Sequence, residues 1–332
     1  MSIAISNWKN KDARKEIHAL VDRVQEIGFS ISKDFIFKTY LYLYSKDIRF
    51  KVTNFSSENA HNFEQDWEKI RDTIISCFEL IRGFGYTDFS LTSKNAVIPI
   101  IYFLYHKNIY PDYPVTTRFK EDRETVKKWL HIMTLKRVFG SHSDNLLSQI
   151  RKAFTSDVTS EDKIKPNTPS FPADALNDQI KGDISVGDDF LEELLITQKD
   201  DRYAFSILAL LYPRLDYRNN DFHKDHLHPI SGFTKIMSQN LAIPLADQGI
   251  FFSREWNNSI INLQMLDSNE NMSKQDKSLA EWFDQETTKQ DPHLLRQRCI
   301  IPNEVSLEFK DFVVFAKNRK IELKKRLKAI LG

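Results

Sequence analysis

The stretch FHKDHLHPISGF, residues 222–233, holds three of the nine histidines of the chain within six positions. His223, His226 and His228 stand beside Asp225, and Pro229 closes the group. Three interpretations are open: metal ligands, a catalytic base, or polar residues of an ordinary loop. Structural zinc usually takes a closed set of four nitrogen and sulfur ligands, and no cysteine lies near this stretch, so the zinc interpretation is weak.

Two asparagines follow the histidines in an order that favours catalysis. Asn262 lies in NNSIINLQML, Asn271 follows nine residues later in NENMSKQD, and Lys274 comes one helical turn after that. The order is therefore D-H-x-x-P, an apolar run with strand character that carries N-L, and N-x-x-K opening a helix. The gap before Asn262 is long, and residues 232–256 are interpreted as an insertion with its own helix.

This order resembles the HNH, or ββα-metal, nuclease motif, with asparagine in the third position as in the HNH domain of CRISPR effector nucleases. The resemblance implies an enzyme that hydrolyses DNA phosphodiester bonds with the help of Mg²⁺ or Mn²⁺. It implies that His226 is the general base, since histidine can be neutral near pH 7. Asp225 and Asn271 would supply oxygen ligands to the metal. Asn262 would brace the two-stranded hairpin that presents the base.

Other polar residues of the motif have two open interpretations each. Lys274 is expected either to reach a phosphate of the DNA or to be a solvated surface lysine. His228 is expected either to touch DNA or orient His226, or to face outward without a role. His223 is assigned no function.

Composition predicts a mainly α-helical fold. Glycine is scarce, at nine residues, whereas phenylalanine reaches 24, and such a balance is more typical of helices than of barrels or sandwiches. We expect a helical bundle followed by a domain with an embedded ββα-metal (HNH) motif. The expected domains are a helical domain over 1–155, a linker or long loop over 156–172, and a nuclease domain over 173–332, with the motif core at 222–285.

Segments outside the motif extend the resemblance. LTSKNAVIPIIYFLYHK and FSILALLYP are similar to the helical middle and pre-nuclease parts of GmrSD-type modification-dependent (type IV) restriction enzymes, which defend bacteria against phage. Those enzymes also carry an N-terminal ParB-like nucleotide-hydrolysing domain with a D-G-Q-Q-R type motif. Neither that string nor a Walker A loop occurs in this sequence. We therefore expect the C-terminal part of such an enzyme, or a chain that works with a separate NTPase or sensor subunit on DNA, including modified phage DNA.

DNA binding would need a local basic surface, because the net charge of the whole chain is only +1. From residue 310 onward, eight Lys and Arg residues stand against two Asp and Glu residues. We expect Lys324, Lys325 and Lys328 in this C-terminal helix to bind DNA; a solvated helix face is the equal alternative. The helix around Lys127 and Lys128 is the second candidate surface.

Two alternatives to an endonuclease remain at this stage. One is a non-catalytic DNA-binding or assembly subunit of a restriction system, and the other is a helical scaffold with incidental histidines. The two cysteines form no CxxC pair, no signal peptide opens the chain, and no apolar run is long enough for a membrane helix. We therefore expect a cytoplasmic protein without a membrane partner.

Overall fold

The computed structural model describes residues 8–44, 57–140, 143–154, 169–238 and 243–332. Within these residues the protein is mainly helical, which confirms the predicted fold class at that level, and it has two short strands. The chain divides into two compact units, Met1–Ile184 and Ser185–Gly332. None of the helices in these ranges combines the length and apolar character that crossing a bilayer requires.

The first unit is a helical bundle. Its helices are α1 Ala13–Ile27, α2 Lys33–Tyr44, α3 Ser57–Gln65, α4 Trp67–Gly83, α5 Ile98–Lys107, α6 Lys120–Leu135, α7 Ser143–Phe154 and α8 Ala173–Asn177. Helix α1 shows how sequence sets these bounds. The Asp12 side chain accepts hydrogen bonds from the backbone N–H groups of Arg14 and Lys15, and Gly28 ends the helix at φ 102°, a conformation that glycine adopts without strain.

The boundary between the units lies further along the chain than the expected domain start at residue 173. Helix α8 packs against α6 and α7 of the first unit, so residues 173–184 belong to the bundle. The expected linker over 156–172 falls mostly outside the described residues. Its last part is core rather than linker, because the Phe171 ring is 3% exposed and packs edge-on against Phe103 and Trp129.

The second unit surrounds one antiparallel strand pair with helices. Its elements are α9 Asp188–Leu195, α10 Ala204–Leu211, β1 Phe222–His226, α11 Ile230–Ser238, α12 Leu245–Phe251, α13 Arg254–Asn257, β2 Leu263–Asp267, α14 Ser268–Lys274, α15 Leu279–Thr287, α16 Pro292–Cys299 and α17 Phe312–Leu331. In its described residues, the predicted insertion over 232–256 thus includes α12 and most of α11 and α13, where one helix was expected. Strand β1 pairs with β2 so that Phe222 lies opposite Asp267 and His226 opposite Leu263.

Helix α17 packs against several elements of the second unit. Its apolar stripe, which includes Phe312, Phe315, Leu323 and Leu327, is buried, and the helix packs against α9, α10, α12 and the 3-10 turn Ile260–Asn262. Because that turn leads directly into β2, α17 contacts the chain at the point where β2 begins.

Helix α14 begins immediately after β2 because the sequence there forms a capping box. The Asp267 carboxylate accepts hydrogen bonds from the backbone N–H groups of Asn269 and Glu270, and the Glu270 side chain accepts one from the Asp267 N–H. The helix then packs back onto both strands. The order along the chain is therefore strand, insertion, strand, helix.

Candidate active site

The end of strand β1 is held in place by the side chain of Asn262. Its Oδ1 accepts a hydrogen bond from the His228 backbone N–H at 3.0 Å, and its Nδ2 donates to the backbone carbonyls of His228 at 2.8 Å and Asn257 at 2.7 Å. The Leu227 N–H also donates to the Asn262 carbonyl at 2.8 Å. Asn262 is fully buried, so these bonds are not exchanged with water. The turn directly after His226 is thereby fixed against the start of β2.

His226 is the last residue of β1 and is half-buried. Its Nε2 lies 3.0 Å from the Asn258 Oδ1, and its Nδ1 lies 3.5 Å from the Lys199 Nζ. Burial, together with the positive charge of Lys199, lowers the pKa of His226 to about 4. The imidazole is therefore neutral at pH 7 in the free protein, which is the state that can accept a proton.

Asp225 precedes His226 in β1, and its side chain contacts residues of β2 and α14. One of its oxygens, Oδ2, accepts hydrogen bonds from the Gln264 Nε2 at 3.1 Å and the Lys274 Nζ at 3.0 Å. Lys274 also donates to the His226 backbone carbonyl at 2.6 Å. The Lys274 side chain is only 1% exposed, so it is a buried partner of Asp225 and not a solvated surface lysine. The same bonds tie α14 to β1.

Asn271 lies one turn before Lys274 on helix α14, so both project from the same face of that helix. It is half-buried, and no described residue hydrogen-bonds to its side-chain amide. Asp225 lies on β1 and Asn271 on α14, two elements that pack against each other.

This donor set suits a hard cation. Mg²⁺ is typically bound through one or two protein oxygens and keeps several waters, and Asp225 and Asn271 carry oxygens of this type. In the part of the chain that the structure describes, no group of three or more His, Cys, Asp or Glu side chains could hold a metal ion. Zinc binding by the three histidines is therefore not supported.

His228 lies away from both groups, in an aromatic cluster of the core. Its ring is fully buried and makes edge contacts with Phe309, Phe312 and Phe315 at centroid distances of 5.2, 5.4 and 4.8 Å. Burial lowers its pKa to about 3. In this structure it is out of reach of DNA and does not face outward, which corrects both expectations for it. His223, by contrast, is exposed, and its Nε2 lies 3.0 Å from the Ser268 Oγ.

The basic C-terminal helix α17 is partly neutralised by the acidic helix α9. Lys324 forms ion pairs with Glu192 at 2.8 Å and Asp188 at 3.3 Å, and Lys328 pairs with Asp188 at 3.1 Å. Lys325 is exposed and forms no ion pair with a described residue. The three lysines expected to bind DNA are therefore not equivalent.

The second candidate surface for DNA, on helix α6, also has a lysine whose charge is not freely exposed. Lys127 is only 8% exposed, and burial lowers its pKa. Its ammonium group is thus largely withdrawn from the surface, which leaves Lys128 as the more accessible of the two.

A cleft of about 430 Å³ lies beside Asn258, whose side chain contacts the His226 ring, and its wall also includes Ile230, Phe252 and Arg254. Arg254 is exposed. The cleft therefore borders the Asn258 side chain that contacts the imidazole, and its wall carries one exposed cation.

The sequence did not predict the site roles of four residues. Asn258 and Lys199 contact His226, and Gln198 bonds Asn258. Arg319 bonds backbone carbonyls at the start of β2. The burial of Arg319 could have been predicted, because it falls on the apolar stripe of α17 at the spacing of a core residue. The contacts around His226 could not, because Gln198 and Lys199 are far from it in the sequence.

No protein-family model matches this chain, and no curated protein matches it at a significant level. Function is therefore inferred from the side chains themselves.

Proposed function

We propose that this chain is a metal-dependent DNA endonuclease whose catalytic centre is a ββα-metal (HNH) motif formed by β1, β2 and α14. The observation that carries this proposal is the buried Asn262 amide, which bonds both backbone groups of His228 and so fixes the end of β1. The strand that it fixes ends in Asp225 and His226. Side chains of the types that phosphodiester hydrolysis needs are thereby held on one rigid hairpin.

His226 acts as the general base in this proposal. Its ring is neutral, so a water molecule that reaches the ring can give up a proton to it as the water attacks phosphorus. The low pKa in the free protein is expected to rise when an anionic phosphate enters, because a nearby negative charge favours the imidazolium.

Asp225 and Asn271 hold the cation. The Asp225 Oδ1 accepts no hydrogen bond from a described residue, so it is available to a metal while Oδ2 remains with Gln264 and Lys274. A bound Mg²⁺ or Mn²⁺ would polarise the phosphate and stabilise the leaving oxygen. Lys274 keeps Asp225 and the helix that carries Asn271 in register with β1.

DNA is held by exposed cations of the same unit. Arg254 in the wall of the cleft and Lys317 and Lys325 on α17 are exposed and form no ion pair with a described residue. Contacts of this kind go to phosphates and carry little sequence information. Selectivity for a sequence or a modification would need additional surfaces.

The resemblance to GmrSD-type enzymes adds a biological role to the proposal, namely restriction of phage DNA together with an NTPase or sensor component. Comparing cleavage of unmodified plasmid with cleavage of phage DNA that carries modified bases tests this role separately from the chemistry.

A second candidate function is a non-catalytic DNA-binding or assembly subunit. The observation that favours it is the buried ion pair between Lys274 and Asp225, because the lysine already neutralises the one carboxylate of the expected metal site. A subunit of this kind would bind DNA equally well with and without a divalent metal and would cut nothing.

Incubation of the purified protein with supercoiled plasmid separates the two candidates. The endonuclease nicks or linearises the plasmid with Mg²⁺ or Mn²⁺ and stops when EDTA is added. Mn²⁺ binding, followed by electron paramagnetic resonance, should weaken in Asp225→Ala and remain unchanged in the matched variant Asp221→Ala, whose carboxylate precedes β1. Intact DNA in every metal condition, with Mn²⁺ binding equal in both variants, would reject the nuclease.

A further inference from the structure

A chain of two side-chain amides connects the His226 ring to backbone carbonyls. It begins at Gln198, whose Nε2 donates hydrogen bonds to the carbonyls of Ile196 at 2.9 Å and Arg254 at 3.1 Å. A carbonyl oxygen can only accept, so the nitrogen end of the Gln198 amide must face these two groups. The Gln198 Oε1 is therefore forced to face the other way.

Asn258 is the second amide of the chain. Its Nδ2 donates to the Gln198 Oε1 at 3.2 Å, which turns its own Oδ1 towards the His226 Nε2 at 3.0 Å. Asn258 is 7% exposed, and its backbone carbonyl accepts a hydrogen bond from the Lys199 N–H at 2.9 Å. The side chain is thus held by its neighbours at both ends. Because an amide oxygen only accepts, the His226 Nε2 must carry the hydrogen of this bond.

The opposite side of the ring leads to the same assignment. The His226 Nδ1 faces the Lys199 ammonium at 3.5 Å. An ammonium group has donors and no acceptor, so Nδ1 meets it with a lone pair rather than with a hydrogen. Two independent neighbours therefore select one tautomer of the neutral ring.

We propose that Asn258 is a positioning residue which, through Gln198, holds His226 in the Nε2–H tautomer, so that Nδ1, 3.5 Å from the Lys199 Nζ, is the ring nitrogen that can accept a proton. A histidine free in solution exchanges between tautomers, and the tautomer with hydrogen on Nδ1 presents a donor where the reaction needs an acceptor. The assignment of the tautomer stands on geometry alone, whereas its value for catalysis rests on the proposed function.

Imidazole ¹⁵N nuclear magnetic resonance tests the proposal directly. The full-length protein is labelled at histidine nitrogen, and His226 is identified as the signal that disappears in His226→Ala. At neutral pH the wild type should show hydrogen on Nε2 and a lone pair on Nδ1. Asn258→Ala should weaken this preference and raise the population of the Nδ1–H tautomer, with Lys199 left as the one remaining neighbour that favours Nε2–H. Gln198→Leu, which leaves Asn258 free to turn its amide, should do the same and covers the case in which Asn258→Ala does not fold.

Asn257→Ala is the matched control. Asn257 is the adjacent residue, is also 7% exposed, and donates to the Phe251 carbonyl instead of the imidazole. It should leave the tautomer unchanged. If it shifts the tautomer as much as Asn258→Ala does, or if the wild-type ring carries its hydrogen on Nδ1, the positioning role is overturned.

Cleavage kinetics add a second readout. Asn258→Ala should lower kcat by about 10- to 100-fold with KM nearly unchanged, since partners that orient a catalytic histidine commonly contribute that much. A KM effect with constant kcat would contradict the positioning role. A wild-type protein that shows the expected tautomer but cuts no DNA would uphold the tautomer assignment and reject the endonuclease, so the two failures are distinguishable.

Discussion

Replacement of Arg319 by alanine should destabilise the second unit more than any exposed charge on the same helix. The guanidinium is fully buried. It donates to the backbone carbonyls of Ile300 at 2.9 Å, Ile260 at 3.1 Å and Leu263 at 2.8 Å, and also to that of Ile261. The carbonyls of Ile260, Ile261 and Leu263 lie at the entry to β2, so the side chain couples α17 to the strand that pairs with β1.

The expected loss in the free energy of unfolding depends on the buried carbonyls that remain after the Arg319 side chain is removed. Hydrogen bonds to a charged group are worth about 1.5–3 kcal/mol each, but burying the charge costs several kcal/mol, so the contributions do not add. Leaving a buried acceptor without a partner costs about 1–3 kcal/mol, so the carbonyls abandoned in Arg319→Ala, which do not regain water, should together cost about 3–5 kcal/mol. The matched control is Arg326→Ala on the same helix. Arg326 is half-exposed and pairs with Glu322 at 2.9 Å, a type of pair worth about 0.3–0.5 kcal/mol.

Hydrogen exchange measured by mass spectrometry can assign the loss to the second unit. Peptides covering residues 260–267 should exchange roughly 10²- to 10⁴-fold faster in Arg319→Ala, which is the expected free-energy loss expressed as a rate. Arg319→Lys should also exchange faster than wild type, because a compact ammonium cannot reproduce the planar fork of donors. If exchange in Arg319→Ala matches that in Arg326→Ala, Arg319 does not support β2.

Two further predictions concern acid stability and DNA binding. The pKa of His228 is about 3 in the folded protein and about 6.5 when unfolded, so below about pH 6.5 only the unfolded chain takes up this proton, and stability falls as the pH drops towards 3. Between about pH 7 and pH 5, the free energy of unfolding measured in urea should therefore fall by about 2 kcal/mol less in His228→Leu than in the wild type. An equal fall in both proteins would show that His228 does not cause the acid sensitivity. For DNA binding, Lys325→Glu should lower affinity and flatten its salt dependence by roughly 0.9 per phosphate contact. Lys324→Glu, which breaks ion pairs with α9, should mainly lower stability, and the reverse ranking of the two variants would place the DNA elsewhere.

Local features of the fold were predictable because the residues that cause them are close in the sequence. Helix α1 is an example, since its cap Asp12, its apolar spacing and its terminal Gly28 are all visible in one short segment. The order of Asp225, His226, Asn262 and Asn271 was also visible, because it depends on spacing along the chain rather than on packing.

Features that depend on distant contacts were not predictable in this way. The ion pairs between Lys324 and the acidic helix α9 join residues far apart in the chain, so the basic run alone suggested an open surface. The two interpretations offered for Lys274 likewise assumed that it faces solvent, whereas packing of α14 on β1 buries it against Asp225. His228 was placed among possible DNA contacts because nothing local reveals the aromatic cluster that α17 builds around it.

The central claim is that His226 is the base of a metal-dependent nuclease, and single-turnover cleavage of plasmid DNA tests it most directly. Rates with saturating protein and Mg²⁺ are compared for wild type, His226→Ala and His223→Ala, the last being an exposed histidine on the same strand. Loss of a general base should slow cleavage by about 10² to 10⁴ in His226→Ala, while His223→Ala should cut at the wild-type rate. Equal rates in His226→Ala and wild type would contradict the claim.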